Sequence, residues 1–505
     1  MLVCVAGVLS GCRRTDEPWR FRWEERTDRD GKPAGVYEVT PCPITEKTLN
    51  YTIGTDEGPT TYELGELYFV DGAMPDDGGD GRSLGTAKRT IAAAIEAAGK
   101  GHRTLIVRGA HDGFDGVYHE TFRALPGVDD THRWMVVGYG QERPILDADS
   151  GRVDMIRSTG EPEAFVTIQR LKLRNSQRNG VRLGRLDRKI DGHFNLVDVW
   201  MDHCINVPKG ADAGVYYLNA DHGFIRHCTV THSKGHGFKI GDGASDFIIE
   251  WSVADGTGWY PEWDGPGEYF GTHPTALDFP NDVNNAFRVT CRYCIARNSL
   301  FYAVQVRRVR DFRFHHNEIS GSPHFDDVRD CDNHSVGRHQ VILFAGHTSG
   351  EFHSNIIHTP TSSGTTAIYV SACTDDAPVI NIHDNIIYGN HKRAISVQPS
   401  NKDLQVNIVG NRIFSHGPDV RELIFSGIGN RLVLTGNVLC TDAAGRCLDI
   451  DTGQHVRNRY FFPKGTRGVE LGPDESDADP GWTPLPTGPL GPEMFRRDNT
   501  VLKGK

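Results

Sequence analysis

Ten segments of this chain repeat one another, and their spacing limits the folds open to it. FIRHCTVTHS starts at 224, VTCRYCIARNS at 289, INIHDNIIYGN at 380, VNIVGNRIFSHG at 406 and LVLTGNVLCTD at 432. One equivalent position in each segment gives Leu171, Asp198, Cys228, Trp251, Cys294, Asn317, Asn355, Asn385, Asn411 and Asn437. The intervals are 27, 30, 23, 43, 23, 38, 30, 26 and 26 residues. Between the segments lies a second set of strand-like runs, among them GVYYLN, GFKIGD, TALDFP, YAVQVR and VILFAG. Both sets alternate apolar and polar residues, the period of a strand with one buried face. Short β-rich pieces recurring every ~20–30 residues predict an all-β solenoid with one coil per repeat, here about ten coils or more. A propeller needs about four strands per ~40–45 residues, and a leucine-rich repeat needs LxxLxL; neither pattern is present. Asn stands at one place in the last five repeats, so stacking predicts an internal amide ladder that satisfies its own donors and acceptors.

The stretches around this array divide the chain. Residues 1–12 read as a secretion signal, 13–65 as an irregular extension, 66–460 as the solenoid and 461–505 as a Gly/Pro-rich tail. Thr86 to Ala98 has a helical pattern, and a helix there would cap the open strand edges of the first coil. Leu9-Ser10-Gly11-Cys12 resembles a bacterial lipobox, which implies a lipidated Cys12 and an exported protein held at the cell envelope. Removing Cys4 and Cys12 from the 11 cysteines leaves nine. Cys440 and Cys447 are the easiest local disulfide. Cys291 and Cys294 form a CxxC in a strand-like run and read as buried thiols. The composition, 38% hydrophobic and 24% charged, is that of a soluble globular chain. A formal charge of −11 disfavours nonspecific nucleic-acid binding. P-loop, GxGxxG, GxSxG and HExxH motifs are absent.

Extra residues are spent at one turn. The segments 204–214, 255–274 and 322–339 all fall between a repeat segment and the strand after it. Insertions at one turn of a solenoid project from one face, and two walls make a groove suited to a polymer. Trp259, Tyr260, Trp263 and Tyr269 in the second wall offer faces for sugar rings. His324, Asp326, Asp327, Asp330, Asp332 and His334 in the third offer cation ligands. Counting back from the repeat marker aligns Tyr216, Lys239, Gln305 and Leu343, and the apolar pattern adds Asp278. These five form an outward column with neighbours about 4.8 Å apart. Leu218, Gly241, Pro280, Arg307 and Ala345 form the next column. Lys239, Asp278 and Arg307 thus share one patch, with Tyr216, Gln305 and Arg308 beside it. Seven arginines between 288 and 313 make a local basic zone suited to an anionic glycan.

β-Elimination of a uronate polymer needs a neutralised carboxylate, a base for the carbon-bound proton and help for the leaving oxygen. Lysine serves as base when burial or nearby cations lower its pKa, and Asp278 opposes that unless it holds a metal. Asp242, Asp255 and Asp278 are candidate ligands for Ca2+. A zinc reading instead recruits His222, His227, His232 and His236, or His203, His232 and Asp255 on adjacent rungs.

Residues 77–120 and 136–149 resemble the entry to right-handed parallel β-helix proteins, and the likeness extends over about 66–460. It implies a right-handed coil and leaves the activity open. GHGFKIGDG resembles the GNGFKLGG segment of family-9-type pectate lyases and maps onto Gly237, Phe238, Lys239, Ile240 and Gly241. In that family the lysine abstracts the proton, which implies Lys239 as catalytic base. The family's acidic calcium run has no counterpart in GADAGVYYLN, where only Asp212 stands. The expectation is a monomeric, surface-anchored β-helix that binds an acidic polysaccharide and cleaves it by elimination. A non-catalytic glycan-binding or structural envelope lipoprotein and a β-helix glycoside hydrolase with paired carboxylates are the alternatives.

Overall fold

A computed structural model describes most of residues 44–477, together with 26–27 and 33–34. Its principal breaks are 206–211, 259–274, 281–284, 322–339, 360–364, 372–378, 399–403, 416–419, 442–445 and 463–467. The chain forms two compact units, one of 1–40, 481–486 and 490–505, the other of 41–480 and 487–489. In the first, Arg26–Thr27 pairs antiparallel with Pro33–Ala34. The second is a right-handed parallel β-helix built on three long sheets of 14, 13 and 12 strands, here A, B and C.

One coil shows the plan. Gly223–Arg226 lies in sheet A, Thr229–Thr231 in B and His236–Gly241 in C; Phe247–Glu250 then returns to A. Each strand pairs in parallel with its counterparts in the coils before and after, as Thr229↔Val253 and Phe224↔Ile248 do. The repeat segments read from the sequence therefore hold two strands each, of sheets A and B. A pivot residue with positive φ separates them, such as Asp198 (55°), His227 (52°), Trp251 (53°) or His316 (57°). The register equates Val197 with Arg226 and Arg226 with Glu250. Val199 and Ser252 are thus the true equivalents of Cys228, and the markers Asp198 and Trp251 were one residue early.

The amide ladder is present and one rung longer than expected. Asn317, Asn355, Asn385, Asn411, Asn437 and Asn458 are buried. Each Nδ2 down to Asn437 donates to the Oδ1 of the next, at 2.9–3.1 Å. Inward apolar residues from all three sheets fill one continuous core, with Phe238, Phe279, Phe314 and Ile382 wholly buried.

Both ends differ from expectation. The helix α1 (Ile91–Ala98) starts later than Thr86, because Lys88 bonds the strand Glu66–Val70 through the Phe69 carbonyl and Thr90 caps the Ala93 N–H. Ile91, Ala94 and Ala98 close the core above Tyr68 and Leu105. Within the supposed irregular extension, Asn50–Thr55 and Gly58–Glu63 form an antiparallel hairpin. The tail contributes Glu475 and Ser476 to the last coil. No disulfide joins Cys440 to Cys447; both are buried thiols. Cys291 and Cys294 are buried thiols as well; a turn lies between them, so both side chains reach the core.

Candidate functional site

Sheet C carries the outward column that the sequence predicts. The register runs Tyr216↔Lys239, Lys239↔Asp278, Asp278↔Gln305 and Gln305↔Leu343. It continues upstream as Arg123↔Arg157, Arg157↔Arg182 and Arg182↔Tyr216. Apolar neighbours explain the direction. Phe238 and Ile240 enter the core on either side of Lys239, and Leu277 and Phe279 do so on either side of Asp278. The glycines around Lys239 have a physical cause too. A Cβ at 237 would lie 2.5 Å from the Ala276 carbonyl oxygen, and one at 241 would lie 2.8 Å from that of Pro280. Neither position tolerates a side chain beside the lysine.

The column passes from open to enclosed. Arg123 and Arg157 are exposed, Arg182 and Tyr216 half-buried, and Lys239, Asp278 and Gln305 buried. The Lys239 side chain is only 7% exposed. Its Nζ stands 4.0 Å from Asp278 Oδ2 and 5.0 Å from the centre of the Tyr216 ring. His236 Nδ1 lies 3.0 Å from the same Asp278 oxygen. Burial, reinforced by the Asp242 and Asp278 carboxylates, pushes the Tyr216 phenol well above its ordinary range, so it keeps its proton. Its hydroxyl is 3.4 Å from Asp242 Oδ2. Arg307 pairs in register with Pro280, two residues along from Asp278, and Arg308 turns the chain out of the sheet with φ 54°.

Two residues of this patch escaped the sequence reading as parts of it. His236 opens its strand at a turn, where strict alternation is not imposed, and so reaches Asp278 from what counting makes the inward side. Arg182 sits in GVRLG, a strand visible in the sequence, but only the coil register sets it beside Tyr216.

Other expected groupings do not assemble. Asp242 leaves the sheet C strand at its end, whereas Asp255 ends a sheet B strand before the turn into C. Asp255 holds Arg297 at 3.0 Å and Asn298 at 2.7 Å. Among the described residues, Asp242, Asp255 and Asp278 do not form a group of converging donor atoms. Asp212 is buried against Arg178, 2.6 Å away. The basic zone is partly neutralised, since Arg288, Arg292 and Arg297 pair with Asp246, Glu250 and Asp255 one coil earlier. His203 and His232 do stack, with centroids 4.8 Å apart, but their carboxylate is Asp202 rather than Asp255. Burial and then Arg226 press the His227 imidazole down to about 4, and its ring stacks on Trp251. Trp259, Tyr260, Trp263, Tyr269, the acidic loop 322–339 and Cys12 lie outside the described residues.

No family model and no curated protein matches the chain. Several solved structures follow a similar path. A pectate lyase is 12% identical, with 79% of this chain and 80% of that one covered and a TM-score of 0.36. A GH136 lacto-N-biosidase from Eubacterium ramulus is 10% identical, with 81% and 68% covered and a TM-score of 0.41. A periplasmic alginate epimerase is 12% identical, with 72% and 78% covered and a TM-score of 0.38. None of the three reaches a TM-score of 0.5, so fold and site rest on the geometry above.

Proposed function

We propose that the outer face of sheet C binds an acidic, uronate-containing polysaccharide and cleaves it by β-elimination, with Lys239 as the base. The observation that carries this reading is the column itself. Arg123, Arg157 and Arg182 occupy successive rungs and lead through Tyr216 to Lys239 and Asp278. Rungs about 4.8 Å apart set one cation per step along an extended anionic chain.

The chemistry follows from the side chains present. The Lys239 amine takes the proton from the carbon beside the uronate carboxylate. The electron pair left behind forms the C=C bond and expels the β-oxygen, breaking the glycosidic bond. Tyr216, held in its protonated form, gives its proton to that oxygen. Arg307 neutralises the carboxylate as negative charge grows on it. Asp278 positions both side chains through one oxygen, which lies 4.0 Å from Lys239 Nζ and 3.0 Å from His236 Nδ1.

The test follows ultraviolet absorbance of the unsaturated product across a panel of uronate polymers, with and without Ca2+. Lys239→Ala is expected to lower kcat by about 10³-fold. Arg157→Ala with Arg182→Ala is expected to raise KM and leave kcat nearly unchanged. Reducing ends released without unsaturation would replace this reading with hydrolysis. Binding with no cleavage would make the protein a glycan-binding module.

A further inference from the structure

The turn from sheet C into sheet A, past the column in the coil path, carries a second group of reactive side chains unused by the reading above. Asp191 and His193 precede the sheet A strand Phe194–Val197, and His222 precedes Gly223–Arg226 in the next coil. Both histidines have positive φ, 41° and 54°, which turns them out of the coil at the same corner. Their rings stack with centroids 4.7 Å apart. Asp191 Oδ1 lies between them, 2.9 Å from His193 Nε2 and 2.7 Å from His222 Nδ1.

We propose that this corner binds a divalent transition-metal ion of the Zn2+ class through Asp191 Oδ1, His193 Nε2 and His222 Nδ1. Two imidazoles and one carboxylate select such an ion over Ca2+ or Mg2+, which prefer all-oxygen sets. All three donor atoms lie within 4.8 Å of one another. Bonds of ~2.1 Å in a tetrahedral set hold donors about 3.4 Å apart, so Asp191 has only to back away by roughly half an ångström. Asp191 and His222 are free to do so, at 47% and 48% side-chain exposure, while His193 at 16% is the fixed member.

The surroundings match a metal site in a further respect. A ligating imidazole normally gives its other N–H to a carboxylate, which fixes the tautomer. His193 Nδ1 does this with Asp130 Oδ1 at 2.8 Å, and Arg133 steadies that oxygen from 2.8 Å. The neighbouring carboxylates have other cations: Lys189 holds Asp221 at 2.9 Å and Arg288 holds Asp246 at 2.5 Å. Among the described residues, no lysine or arginine pairs with Asp191. The comparable group at Asp202, His203 and His232 lacks this advantage, because Lys172 Nζ stands 3.6 Å from Asp202 Oδ2.

The test uses the full chain stripped with chelator, titrated with ZnCl2 by calorimetry and with CoCl2 by visible absorption. One tight site is expected. Asp191→Asn and His222→Gln should each weaken it tenfold or more and abolish the cobalt d–d bands. Asp130→Asn, which among the three ligands touches only the second nitrogen of His193, should weaken Zn2+ by about 10-fold to 100-fold. His203→Gln and His383→Gln, at the other two histidine clusters, should leave the site unchanged. Circular dichroism checks that each variant is folded. Absence of tight Zn2+ binding overturns the proposal. So does binding that survives Asp191→Asn and His222→Gln, or that is lost with His203 or His383 instead. None of these readings depends on polysaccharide cleavage.

Discussion

His193 stands between two carboxylates, with Asp130 2.8 Å from one ring nitrogen and Asp191 2.9 Å from the other. Burial opposes its charge, but the two carboxylates prevail and raise its pKa. Asp130 is lowered in turn, chiefly by the hydrogen bond from His193. The signs define a window. A histidine raised on folding contributes stability below its unfolded value near ~6.5 and loses it as pH climbs through the folded value. A carboxylate lowered on folding contributes above ~3.9 and loses it as pH falls through the folded value. Both contributions coexist between roughly pH 4 and 6.5. His193→Gln, in chelator, should therefore cost ~0.5–1 kcal/mol more at pH 6 than at pH 9 in urea titrations, a modest figure because Asp130 is largely solvated. An equal cost at both pH values would show that the ring serves only to pack on Phe165, whose ring centre is 4.6 Å away. How legible such residues were depended on what placed them. Lys239 and Asp278 were legible because a strand alternates with period two and the coil length is countable. His236 and Asp202 were not, because they stand beside turns, where counting does not fix the direction of a side chain.

The element that repeats most faithfully is the turn from sheet A to sheet B. Its pivot has positive φ and its next residue points inward, and from Asn317 onward that residue is asparagine. A pivot breaks the alternation, so two adjacent residues compete for the inward place in any one repeat read alone. This is why the alignment took Asp198 and Trp251 in place of Val199 and Ser252, while it placed the five asparagines from Asn317 to Asn437 correctly and missed Asn458. The ladder also sets an energy scale. Asn411 Oδ1 accepts from the backbone N–H and the Nδ2 of Asn385, and its own Nδ2 donates to the Ile382 carbonyl at 2.8 Å. Asn411→Ala leaves these groups buried without partners and should cost about 2–5 kcal/mol in chemical denaturation. Asn407→Ala, four residues earlier on the half-buried outer face, removes two part-buried bonds, to Asn381 and from Gln405, whose partners can turn to water, and should cost under about 1 kcal/mol. Similar costs for the two would mean that water replaces the ladder and that stacking apolar residues alone hold the coils.

At the scale of the whole molecule, the coils pack chiefly against their immediate neighbours, so stability should be distributed along the axis rather than shared by all coils. The two ends are sealed differently. At the first coil, α1 covers the core and Glu120 accepts the N–H groups of Ile91 and Ala92. At the last, the amide ladder ends on Glu475, whose fully buried carboxylate accepts from Asn458 at 2.6 Å, Tyr460 at 2.9 Å and His455 at 2.9 Å. The helical cap was legible from its own periodicity. Glu475 was not, because it lies in a Gly/Pro-rich tail and nothing local marks it as the partner of a ladder that ends 17 residues earlier. Glu475→Ala strips the buried donors of Asn458 and Tyr460, and the half-buried His455, of their acceptor, at a cost of about 3 kcal/mol felt first in the final coil. Hydrogen exchange should then quicken over the strands Arg431–Thr435, Val438–Thr441 and Arg459–Phe461, while Ala213–Leu218 and His236–Gly241 keep their protection. Under the same conditions Lys239 and its neighbours would remain assembled, so whatever the column does to a polysaccharide should survive the variant. Uniform loss of protection from one end to the other would instead mean that the stacked coils fold as a single cooperative unit, and that a defect at Glu475 reaches the site through every rung between them.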